Sequence, residues 1–240
     1  MPITMTLLIG EFNDANQASY TTGTITPTAN SLVLYGIHSV RSVSPPAVPT
    51  VTSNTGLNVT WTQVETIPFN PISAPISRGT LFRALHASPG SGTTTIDFGA
   101  VTQERCAWII AEFAGVDTGG TNGAAAVVQA VTKAINSATV IDPVLANFGD
   151  PVNNAAYILA CLRADIALDH EAGWTEISEQ NPTENFRTAA AWRVGEDTTP
   201  TYTWATLNPA GGVAVEIKVA PAAAGIATRQ MLMRIGKLGA

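Results

Sequence analysis

Short β-branched and aromatic runs recur along this chain, and turn-forming residues separate them. That pattern restricts it more than any other feature. Residues 31–42 open with the buried-type run Leu32-Val33-Leu34-Tyr35, and residues 105–113 are apolar almost throughout, as a strand covered on both faces must be. Leu57, Val59 and Trp61 alternate with Asn58, Thr60 and Thr62, the period-two pattern of a strand with one wet face. Residues 80–86 and 93–98 flank Ser88-Pro89-Gly90-Ser91-Gly92, which predicts a hairpin. Further strands are expected over 138–141, 155–163, 175–179, 185–194, 201–206 and 213–219. Turns at about eight- to twelve-residue spacing then mean an all-β, antiparallel β-sandwich of jelly-roll-like topology. No internal repeat of fixed period is visible.

Three stretches fall outside the plain alternation. Residues 124–136 carry alanines that suit a helix and Val127, Val128 and Val131 that suit a strand; the neighbouring strands favour strand. Residues 42–55 form a proline-bearing connection expected to run extended over the surface. After a break at Pro221-Ala222-Ala223-Ala224-Gly225, the chain mixes basic and apolar residues: Arg229, Met231, Leu232, Met233, Arg234, Ile235 and Lys237. A segment this short does not fold alone. The expected organisation is a sandwich over 1–220 with residues 221–240 as an extended arm that docks on a partner, with packing on its own domain as the other option.

Charged residues make up 12% of the 240, roughly half the usual share. Soluble monomers use charge to guard sheet edges, so this surface fits a protein held in an assembly, or a β-domain with a Thr-rich surface. The net charge of −6 argues against nucleic-acid binding, which needs a basic face. No stretch approaches the ~20 apolar residues of a membrane helix, and residues 1–9 lack the basic start of a signal peptide. Cys106 and Cys161 both sit in apolar runs. Buried thiols are the simpler reading, with a disulfide between core strands left open.

Catalytic constellations are hard to find. Ser88-Pro89-Gly90-Ser91-Gly92 lies between predicted strands, not at the strand-to-helix elbow a nucleophilic serine needs. His38, His86 and His170 show no metal-ligand spacing. Asp165, Asp169 and Glu171 gather near His170, and oxygen ligands on a loop can hold calcium; solvated loop acids are the alternative. Residues 117–122 allow the same pair of readings. Glu112, Glu176 and Glu216 sit on strands with nothing to pair them across a cleft, as glycoside cleavage requires. The glycine cluster at 119–123 lacks the lysine of a phosphate loop, so no cofactor is expected. Of five tryptophans, Trp61 and Trp108 lie on core-type faces. Trp174, beside Gly173 and the acidic loop, is the best candidate for a sugar-stacking platform, against a core role.

The order Asn30-Ser31-Leu32-Val33-Leu34, Leu57-Asn58-Val59-Thr60-Trp61, Arg78-Gly79-Thr80-Leu81-Phe82-Arg83-Ala84, Thr95-Ile96-Asp97-Phe98-Gly99, Cys106-Ala107-Trp108, Glu112-Phe113-Ala114-Gly115-Val116-Asp117, Gly173-Trp174-Thr175-Glu176 and Ala191-Trp192-Arg193 resembles β-sandwich virion proteins of tailed bacteriophages. The likeness spans roughly residues 25–220 and leaves the arm outside. It implies a non-enzymatic structural protein of the virion, made in the host cytoplasm. The first expectation is a capsid decoration (cement) protein, a homo-oligomer clamping the major capsid protein or other virion proteins. The alternative is a tail or fibre module binding host-surface carbohydrate through Trp174. A glycan-cleaving enzyme on the same fold is the third option.

Overall fold

The computed structural model describes residues 1–70, 76–181 and 185–222. The arm residues Arg229, Met231, Leu232, Met233, Arg234, Ile235 and Lys237 lie outside the described residues. The first half of the chain forms β1 (Thr4–Asn13), β2 (Ser19–Thr21), β3 (Leu32–Arg41), β4 (Thr50–Ser53), β5 (Thr62–Phe69), β6 (Ile76–Ala84), β7 (Thr94–Asp97) and β8 (Arg105–Ala114). The second half forms β9 (Val127–Ile141), β10 (Ala155–Leu162), β11 (Asp169–His170), β12 (Thr175–Gln180), β13 (Arg187–Val194) and β14 (Tyr202–Ile217). One antiparallel sheet has the order β1-β8-β3-β6-β5; a second runs β11-β14-β10-β13-β12, with β9 on β14; a small third sheet is β2-β7-β4. The all-β sandwich expected from the sequence is the architecture observed.

Strand alternation distributes the side chains over three apolar layers. Leu32, Leu34, Ile109, Ala111 and Phe113 of the first sheet meet Ala155, Tyr157, Leu159, Val213 and Val215 of the second in the central layer. The opposite face of the first sheet, with Tyr35, Ile37, Trp108 and Ile110, is covered by Tyr20, Leu57, Val59 and Ile96. The opposite face of the second sheet is lined with alanines, among them Ala156, Ala160, Ala189 and Ala214. Loop residues Leu145, Phe148, Leu168 and Trp174 cover it. Being covered on both sides is what makes β3, β8 and β10 apolar without alternation.

Several expectations change. Residues 57–61 form no strand; Leu57 and Val59 are buried as a covering segment on the first sheet, so their alternation reports one-sided burial only. The hairpin across 88–92 does not form, because β7 pairs with β2 and β4 while both edges of β6 are taken by β3 and β5. Residues 124–136 are strand as expected, but they run on through 138–141 as one β9. Segments 201–206 and 213–219 likewise merge into β14, where register shifts around Asn208 accommodate Pro209, which has no N–H to donate. Strands β1, β2, β4, β5 and β11 are not among the expected ones, and β4 lies within the connection at 42–55. The paired cysteine option is also closed: Cys106 and Cys161 are buried thiols in different layers, and burial pushes both up.

Gly115 closes the first half. Its φ of 76° suits glycine, and a Cβ there would sit 2.5 Å from the Pro2 carbonyl oxygen. Phe113 shows what the central layer contributes: its ring meets Tyr157 and Trp192 edge-on at 6.1 and 5.8 Å. Phe113→Ala is expected to lower unfolding free energy by about 3–5 kcal/mol, measured as a shifted urea midpoint at unchanged slope.

Candidate functional site

The acidic loop does not assemble into a metal site. Asp165 accepts from Arg187 at 2.9 Å, and the same guanidinium bonds Glu179 at 2.9 Å. Asp169 lies on β11 opposite Thr203, and Glu171 turns to Asp197. Among the described residues, no three His, Cys, Asp or Glu converge to hold an ion.

Trp174 is buried, where a stacking platform would be exposed. It is 6% exposed, packed on the alanine face of the second sheet, and its Nε1 donates to Asp197 Oδ2 at 3.0 Å. Asp197 also accepts from Arg193 Nη1 at 3.3 Å and from the Thr199 N–H at 3.0 Å. Burial pushes the Asp197 carboxyl up, but these donors and the Glu171 hydrogen bond outweigh it and hold it below the usual carboxylate value. Glu171 takes the proton of the pair: burial, then its hydrogen bond to Asp197 and the Asp197 charge, raise it to about 7. Sequence reading found Glu171 and Trp174 but missed Asp197 and Arg193, which arrive from the far side of a strand turn and carry no local motif.

Glu112, Glu216, His38 and His86 make bonds within the fold. Glu112 accepts from the Thr28 N–H at 2.6 Å and its hydroxyl at 2.8 Å. Glu216 accepts from Asn154 Nδ2 at 2.6 Å and Gln129 Nε2 at 2.7 Å. Glu176 sits apart from both, raised by burial and by the neighbouring Glu179. His38 is buried, its Nδ1 2.8 Å from Thr188 Oγ1 and its ring stacked at 3.9 Å on Phe186. Burial and the Arg163 charge hold it well below the usual imidazole range. His86 accepts the Ser88 N–H. Trp61 donates to Ser53 and Trp108 to Glu11.

A cleft of 810 Å³ is lined by Asp150, Asn154, Glu216 and Lys218 together with Val128 and Val219. Its polar groups already have partners: Asp150 caps its own turn through the Val152 and Asn153 N–H groups, and Lys218 pairs with Asp117 at 2.9 Å. Such a recess can bind, and among the described residues it holds no nucleophile–base pair within reach. Comparison with family models, curated proteins and solved structures returned no match to this chain.

The Glu171–Asp197 pair makes stability depend on pH. A carboxyl whose folded value is raised stabilises the fold below its unfolded value and loses that contribution as pH rises through about 7. Glu171→Gln keeps the hydrogen bond and removes the titration. The variant is expected to flatten the fall in thermal midpoint between about pH 5 and about pH 8.5, with the wild type measured alongside.

Proposed function

We propose that the protein is a structural component of a virion, and that it acts as a capsid decoration protein on a tailed-phage head. The observation that carries an assembly role is β9. It is a fifteen-residue strand paired along one side with β14, and its sole charged residue, Lys133, is neutralised by Asp142 at 2.5 Å. Long, uncharged sheet edges invite pairing with another chain, and proteins that stay monomeric guard them with charge or proline. Val128 and Ala134 are exposed along this edge. The same reading accommodates carboxylates and histidines that serve structural bonds. The phage and head assignment rests on the sequence resemblance.

Added interface between neighbouring shell subunits raises the free energy needed to separate them; a standard interface of ~1,600 Å² suffices for specific binding. Backbone pairing at an edge strand is one way to supply it. Gold-labelled antibody on intact particles from the protein's source should then decorate the head. Val128→Lys/Ala134→Lys should fold normally and lose particle retention in a sedimentation assay. Label confined to the tail tip, or absent from particles, overturns the proposal.

A further inference from the structure

The two large sheets have one topology written twice. Taking only their common strands, the first half runs β1, β3, β5, β6, β8 in sequence and β1-β8-β3-β6-β5 in space. The second runs β9, β10, β12, β13, β14 in sequence and β9-β14-β10-β13-β12 in space. Five antiparallel strands can be ordered in many ways, so the shared order carries weight. We infer that the chain is two copies of one five-stranded unit joined in tandem, and that its central layer is a homodimer interface retained inside a single chain.

Independent details fall at matching positions. Strand β5 carries a bulge between Gln63 and Glu65, and β12 carries one between Glu176 and Ser178. Each follows a Trp-Thr pair, Trp61-Thr62 and Trp174-Thr175, and each bulged residue, Val64 or Ile177, packs in the central layer. Matching the registers places Leu34, opposite Ala111, on Tyr157, opposite Val215. Glu112 then falls on Glu216, and both carboxylates bind the segment that leads into the middle strand, at Thr28 and at Asn154.

Contacts between the sheets repeat as a two-fold axis requires. His38 falls on Cys161 and Gly79 on Thr188. His38 meets Thr188 at 2.8 Å, and a Cβ on Gly79 would meet Cys161 Sγ at 3.1 Å, so one contact is made twice with different residues. β1 packs beside β12, and β9 packs beside β5. Gly36 falls on Leu159, and the two face each other: a Cβ on Gly36 would sit 2.6 Å from Leu159 Cδ1. A residue that touches its own equivalent lies on the axis, where a true dimer is forced to carry the same residue twice. Fusion removes that constraint and lets one large side chain fill the space against a glycine. Val116 and Val219, from the ends of the two units, bridge antiparallel.

Positions related by a two-fold exchange side chains and keep their packing, and this gives a test. In the full chain, Leu159→Gly leaves a cavity and Gly36→Leu opposes two leucines. Each is expected to lower the thermal midpoint by on the order of 10 °C, or to prevent folding in the second case. The exchanged variant, Gly36→Leu/Leu159→Gly, is expected to melt well above Leu159→Gly. An exchanged variant that melts at or below Leu159→Gly, or does not fold, overturns the inference.

Discussion

The contact between the two large sheets is what the rest of the molecule depends on. Leu34, Phe113, Tyr157 and Val215 lie in that layer, and neither sheet can leave it without exposing a full apolar face to water. Because each sheet is also covered on its other side, few strand positions remain for charge. A charged share of 12% follows from this three-layer plan as much as from any partner. The alanines at 156, 160, 189 and 214 let loops, and not a further sheet, close over the second sheet.

Polar groups inside such a plan must be satisfied or they cost more than they return. Glu112 and Glu216 solve the same problem at the two units, tying the approach to a middle strand onto the last strand. Trp174 and Arg193 hold Asp197 so that Glu171 can share its proton. Glu112, Glu216 and Asp165, which in isolation read as candidate ligands or catalysts, make bonds that hold the architecture. Strand edges and the cleft beside Lys218 offer surfaces for interaction.

How much of this was legible depended on what each signal physically reports. Runs such as Leu32-Val33-Leu34-Tyr35 and 105–113 were read correctly because burial on both faces leaves little ambiguity. The alternation at Leu57 and Val59 reports one-sided burial, which a covering segment satisfies as well as a strand. Turn residues at 88–92 mark a reversal but not the partner, and β6 had no free edge to offer. Trp174 stands out for its neighbours, yet Asp197, which fixes it, lies beyond two strands, β12 and β13. The repeated topology was invisible because β2, β4 and β7 interrupt the first unit where only β11 interrupts the second, so no fixed period survives.

The shared layer makes the two sheets one cooperative structure and not two small domains side by side. Native-state hydrogen exchange reads this directly, because amides in β3 and β10 can exchange only when their layer opens. The prediction is that the slowest amides of β3 and β10 exchange with the same free energy and the same denaturant dependence, through global unfolding. If β10 and its neighbours exchange at a distinctly lower free energy while β3 stays protected, the halves open independently and the shared layer does not hold the molecule together.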